Sequence, residues 1–237
     1  VAAASGMRAR MESLEMLANN LANAATAGYK SDREFYSLYI SPEAGDPLSP
    51  ATLPVIERHW TDFSEGAFTA TGNPLDLAIA GRGFFAADGP SGRLFTRNGG
   101  FQVSAAGVLV TTQGYPVRAV GGGTIQVDPN APLEVAADGT VSQNGVALGQ
   151  LEIVDFPDAS VLRKQEGGYF AAPGGQGGVA ASGYSIRQGR LEGSNVNTAE
   201  AAVRLVSVLR QFEMLQRAVA LASEMNRKAV EEVARVG

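Results

Sequence analysis

Apolar positions recur at helical spacing near both ends of the chain and at strand spacing between them. Near the start, Met7, Met11, Leu14, Ala18 and Leu21 are spaced four, three, four and three apart. That is an a/d stripe of about two heptads. It runs into Asn19, Asn20 and Asn23 and stops at Gly28, a residue suited to the left-handed position after a helix. Toward the other end, Leu205, Val208, Phe212, Leu215, Val219 and Ala222 alternate by three and four. The pairs Glu213/Arg217, Glu224/Lys228 and Glu231/Arg235 lie outside that seam, each with the acid four residues before the base. Asn197 is a good N-cap, and Glu200 can complete a capping box. From Thr198 to Val236 the predicted helix measures about 58 Å. One helix cannot bury an apolar seam alone. Two such helices imply either an intramolecular pair or a bundle made by several copies, and the length of the last favours a coiled assembly.

Between the helices the period changes. The runs LDLAIA (75–80), GFFAA (83–87), RLFTR (93–97), GVLVTT (107–112), TIQV (124–127), LEVAA (133–137) and LGQLEIVDF (148–156) read as short strands. Asn98-Gly99, Asp138-Gly139 and Asn144-Gly145 are hairpin or turn dipeptides. All 11 prolines lie between Pro42 and Pro173, and of the 29 glycines only Gly6 and Gly237 fall outside Gly28 to Gly193. Breakers thus fill the middle and spare both helices. The predicted fold class is α+β, with N- and C-terminal coiled-coil helices flanking an antiparallel β domain. The predicted divisions are a helix over 1–30, an extended connection over 31–72, a β-rich domain over 73–193 and a long helix over 194–237. Pro42, Pro47, Pro50 and Pro54 suit the extended connection. The aromatic residues Trp60, Phe63, Phe68, Phe84, Phe85, Phe95, Phe101, Tyr115 and Phe156 are expected to fill the β core.

Composition narrows the chemistry. The absence of cysteine excludes thiol catalysis, disulfides and Cys-ligated metals, and the single His59 leaves no partner for a two-His site. A net charge of −5 argues against nucleic acid and anionic membranes as partners. No run of about 18 apolar residues predicts membrane insertion. The first residues place apolar side chains before the arginines, the reverse of a signal peptide. Gly81-Arg82-Gly83 lacks the third glycine of a dinucleotide loop, and Gly121-Gly122-Gly123-Thr124 lacks the lysine of a phosphate loop. Asp128, Asp138 and Asp155 lack calcium-loop spacing. His59 has only Glu57 and Asp62 nearby in sequence. The residues therefore predict no catalytic site, no metal and no cofactor.

Several segments carry a family resemblance. LANNLANAATAGYK (17–30) is similar to the N-terminal signature of the bacterial flagellar axial proteins, the rod, hook and hook-associated group, through Asn20, Asn23, Thr26, Gly28, Tyr29 and Lys30. TGNPLDLAIAGRGFF (71–85), FTRNGGFQV (95–103), GVLVTTQGYPV (107–117), AADGTVS (136–142) and LGQLEIVDF resemble the family's central blocks, although Gly100 stands where serine is common. GRLEGSNVNTAEAAVRLVSVLRQFE (189–213) resembles its C-terminal signature through Gly189, Leu191, Glu192, Ser194, Asn195, Val196, Asn197, Glu200, Arg210, Phe212 and Glu213. The ordered blocks span nearly the whole chain. With no large inserted outer domain, it looks most like the FlgF type of basal-body rod subunit, with the FlgG-type distal subunit as the alternative.

The resemblance implies a non-enzymatic segment of the basal-body rod, polymerising through paired terminal helices into a torque-transmitting shaft. It implies copies of itself and other rod proteins as partners, the flagellar export apparatus in transit, and export without a cleaved signal peptide. The expected assembly surface is Met11, Leu14, Leu21, Leu205, Val208, Phe212, Leu215 and Val219. Asn20, Asn23, Asn195 and Asn197 are expected at its helix ends, bonding backbone within one chain or between subunits. A different class also fits the patterning: a surface adhesin with a β head on a coiled-coil stalk.

Overall fold

A computed structural model describes residues 2–40, 52–175 and 177–236. The chain divides into two compact units. One comprises Val1–Ala22, Asp32–Thr61 and Asn197–Gly237, the other Asn23–Ser31 and Asp62–Val196.

In the first unit, helix α1 (Ala2–Ala22) packs against helix α2 (Thr198–Val236) and against an antiparallel strand pair, Asp32–Ile40 with Thr52–Thr61. These strands occupy much of the span where an extended connection is predicted. Pro42, Pro47 and Pro50 lie outside the described residues, and Pro54 falls within the second strand. The buried stripe of α1 is Ala9, Ser13, Leu17 and Asn20. Two of these four are polar, and both are satisfied by the first strand. Ser13 Oγ reaches the two carboxylate oxygens of Glu34 at 2.9 and 2.8 Å. Asn20 donates from Nδ2 to the Asp32 carbonyl at 2.8 Å and accepts the Asp32 N–H on Oδ1 at 2.9 Å. The Asn20 amide thus continues the strand's hydrogen bonding as a backbone group would.

This corrects the expected coiled-coil helices. A coiled coil needs its apolar a/d stripe covered along its length. In α1 that stripe is turned aside: Met11 is 50% exposed, Ala18 is exposed, and Met7, Leu14 and Leu21 are half-buried. The physical cause is the strand pair, whose hydrogen-bonding groups select a face of small and polar residues that hydrophobic periodicity alone does not score. In α2 the seam residues Leu205, Val208, Phe212, Leu215 and Val219 are half-buried, while Ala222 is exposed. Among the described residues there are two α-helices and a β-rich body, and the helices do not form a coiled coil.

The second unit is that body. Its largest sheet is antiparallel and six-stranded, in the order Arg163–Gln165, Tyr169–Ala171, Gly92–Thr96, Phe84–Gly89, Ile153–Asp155, Val179–Ala180. Successive side chains of a strand face opposite sides, and here both sides are apolar. Phe85 and Ile153 join a core with Leu77, Ile79, Leu109, Ile125, Val141 and Leu151. Phe84, Ala86 and Val154 join a second, with Phe95, Phe156, Leu162 and Phe170. Burial on both faces explains the uninterrupted run GFFAA. Around the second core, Phe63, Phe84 and Phe170 meet edge to face, as do Phe95 and Phe156. Of the expected core aromatics, Phe68 and Tyr115 are half-buried and join neither core, and Trp60 is partly exposed, with the Arg33 guanidinium 5.9 Å from its ring centre.

Asn144-Gly145 makes a two-residue hairpin between Thr140–Gln143 and Val146–Gln150, both residues at positive φ (51° and 77°). The TIQV run forms only isolated bridges, Arg118 with Thr124 and Val108 with Gln126.

Candidate functional site

Within the β body, three charged side chains converge. Lys30 and Glu192 have no exposed surface and Arg97 has 4%. Lys30 Nζ donates to Glu192 Oε1 and to the Ser64 carbonyl, both at 2.6 Å. Glu192 Oε1 also accepts the Gly66 N–H at 2.9 Å, and Glu192 Oε2 lies 3.5 Å from Arg97 Nε. Arg97 spends its other nitrogens on the carbonyls of Ile79 (3.3 Å) and Gly81 (2.8 Å), with its guanidinium over the Phe84 ring. Burial pushes both cations below their ordinary range, opposed chiefly by the Glu192 charge. Such a cluster is stable only while each member keeps its partners.

Local backbone sets up this convergence. Gly28 donates its N–H to the Glu192 carbonyl at 2.7 Å with φ at +68°, and a Cβ there would lie 2.3 Å from Asn98 N. Only glycine meets both conditions. Tyr29 and Lys30 follow directly. Lys164 holds the turn from outside, with Nζ 3.9 Å from the Tyr29 ring centre and donating to the Lys30 carbonyl at 2.7 Å.

The expected site residues separate into two groups. The asparagines act within the chain. Asn20 holds Asp32, and Asn23 accepts from Thr26 Oγ1 at 3.2 Å. Asn195 accepts the Ser31 N–H at 2.7 Å and donates to the Asp62 carbonyl at 2.7 Å. Asn197 caps α2, accepting the Glu200 N–H at 3.2 Å. The apolar residues Met11, Leu14, Leu21, Leu205, Val208, Phe212, Leu215 and Val219 lie on the helices as described above. Periodicity did not find the Lys30, Arg97 and Glu192 cluster. Opposite charges inside the two terminal motif blocks were the available signal, but a contact between residues 162 apart in sequence cannot be read from spacing.

The arrangement is built for holding. A cavity of about 270 Å³ lies among Phe63, Arg82, Phe84, Arg97, Asp155 and Phe156. Arg82 is engaged there by Asp155 at 3.3 Å and the Phe156 carbonyl at 3.3 Å. His59 is exposed. Gly83 turns at φ +131°, where a Cβ would meet Ile153, so Gly81-Arg82-Gly83 is a packing turn.

Comparison with known proteins gives this scaffold its class. Residues 2–30 match the family described as flagella basal body rod protein. Residues 78–143 match the D1 domain of flagellar hook protein FlgE/F/G, and residues 187–232 the C-terminal family of flagellar basal body rod FlgEFG proteins. Together these are the marks of a flagellar rod or hook subunit. Lys30, Arg97 and Glu192 come one from each matched block. The flagellar basal-body rod protein FlgF of Caulobacter vibrioides is 32% identical over 230 residues, covering 94% of this chain and 92% of that one. The FlgF of Salmonella typhimurium is 36% identical over 228 residues, covering 90% and 88%. The FlgG of Agrobacterium fabrum is 32% identical over 264 residues, covering 94% of each. The chain belongs to the FlgF family of flagellar basal-body rod proteins. It is a structural subunit of the basal body and not an enzyme, and it assembles with other basal-body components.

Proposed function

We propose that this subunit joins its neighbours, copies of itself and other rod proteins, through the apolar faces of its terminal helices, after passage through the flagellar export apparatus. The observation that carries this reading is that α2 is apolar on two sides. Leu205, Val208, Phe212, Leu215 and Val219 form one stripe, half-buried within the chain. On the opposite side Val203, Val206, Met214, Leu221 and Met225 are 49–71% exposed. A helix whose second apolar stripe is left exposed has a further surface to cover, and exposed apolar patches mark interaction surfaces. Met11, Leu14 and Leu21 add the less buried side of α1. Asn20, Asn23, Asn195 and Asn197 then serve assembly indirectly, by fixing where the helices begin and end.

Leu21→Asp and Phe212→Asp test this reading. Both variants should retain a folded β body, read from its near-ultraviolet circular dichroism, yet be missing from purified hook–basal bodies by peptide mass spectrometry. Normal incorporation and normal motility in both would overturn it.

A further inference from the structure

The chain passes between its two compact units four times, after residues 22, 31, 61 and 196. On the β-body side, the residues beside three of these crossings hold one another. Asn195 Oδ1 accepts the Ser31 N–H at 2.7 Å, Asn195 Nδ2 donates to the Asp62 carbonyl at 2.7 Å, and Asp62 N–H donates to the Ser31 carbonyl at 2.8 Å. The Asn195 N–H also donates to the Tyr29 carbonyl at 3.3 Å. Immediately beneath them is the Lys30–Glu192 pair. Lys30 precedes Ser31 and Glu192 precedes Asn195 by three residues, and the pair fastens Ser64 and Gly66 beyond the third crossing.

We propose that Asn195 and the Lys30–Glu192 pair form a clasp through which these crossings open and close as one cooperative unit. An asparagine amide donates and accepts at once, so one side chain can engage two different segments. Beneath it, freeing residues 28–31 strips Glu192 of its Lys30 partner and of the Gly28 backbone bond, leaving a carboxylate without exposed surface with only the Gly66 N–H and Arg97. A buried charge losing its partner costs far more than one ordinary hydrogen bond contributes. The segments are therefore coupled: none can leave while the charge remains buried. For a rod subunit, the clasp makes the ends of these segments within the β body bear load together instead of fraying one by one. That consequence rests on the rod reading; the clasp does not.

The test is amide hydrogen exchange on the purified full chain, read at Gly28, Ser31, Asp62 and Gly66. Asn195→Ala removes the acceptor of Ser31 alone among these amides. The clasp predicts that exchange nonetheless accelerates by about tenfold or more at all four together, with Leu77–Ala80 and Phe84–Gly89 still protected. Acceleration confined to Ser31, or none, would show independent bonds and overturn the proposal. Acceleration throughout the body amides would show global unfolding and overturn it as a local unit. Lys30→Met should reproduce the four-amide pattern from the other half of the clasp. If that variant does not fold, Asn195→Ala decides, since Asn195 is only half-buried. The readout needs no assembly, so loss or retention of rod incorporation in Leu21→Asp leaves it untouched.

Discussion

Glu192 and Gly28 show how much single positions can be asked to do. Lys30→Met should cost about 3–5 kcal/mol, because it leaves Glu192 buried with one distant cation. Lys30→Met combined with Glu192→Leu should cost less than the two single losses added, because the shared pair is removed once, yet stay well below the natural chain because Arg97 is then buried without its carboxylate. Urea melts of both single variants and the double variant would measure this non-additivity. Gly28→Ala and Gly72→Ala separate conformational strain from contact. Both glycines sit near φ +70°, but a Cβ at Gly72 meets open space and one at Gly28 meets the Asn98 backbone. Gly72→Ala should cost about 1–2 kcal/mol, and Gly28→Ala clearly more. A third residue ties stability to pH. Asp138 is held below the usual carboxylate range by the backbone N–H and then the hydroxyl of Thr140. With its folded pKa depressed from 3.8, its contribution is fully present above that value and fades as pH falls through the lower folded one. The stability gap between the natural chain and Asp138→Ala, read from acid titrations in urea, should shrink in that direction.

At the scale of elements, α1 offers a direct contrast between the face the pattern marks and the face the fold buries. Leu17 is 5% exposed and Met11 50%. Leu17→Ala should cost about 2–5 kcal/mol, and Met11→Ala within about 0.5 kcal/mol of nothing, measured as loss of helical signal on heating. Equal losses would restore the expected seam. Periodicity misled here because it scores apolar residues, whereas Ser13 and Asn20 were buried by hydrogen bonds to a strand that periodicity did not find. In α2 the Asn197 cap was legible because its bond to the Glu200 N–H is local, whereas polar Gln211 is as half-buried as the apolar Phe212 next to it. The same division runs through the β body. Two-residue turns such as Asn144-Gly145 and doubly buried runs such as GFFAA are local signals and read well. The strands Arg163–Gln165, Tyr169–Ala171 and Val179–Ala180 escaped because each is two or three residues long, too short to show a period, and is held by its neighbours in the sheet. The charged cluster escaped for a related reason: its members come from three distant blocks and carry no common spacing.

For the whole molecule, the balance between net charge and apolar surface decides how copies can meet. Each chain carries −5, so two copies repel at long range. The outward stripe of α2 has Val203, Val206 and Met214 with Arg210 among them, and so offers contact through apolar burial more than through opposite charge. Salt screens the repulsion within about 10 Å at 0.1 M and leaves the apolar contribution in place. Self-association of the purified chain, followed by sedimentation, should therefore strengthen as ionic strength rises. An interface made of complementary charges would weaken instead. Met214→Glu adds a charge to the stripe at a side chain that is 61% exposed, so its effect on the stability of the isolated chain should stay within about 0.5 kcal/mol. Its effect on association should be large, since docking would bury an unpaired carboxylate on every copy. The two measurements separate the causes. If Met214→Glu leaves association unchanged while salt strengthens it, copies meet elsewhere than on this stripe. If association falls with salt, charge pairs hold the copies together and the apolar stripe is not what joins them.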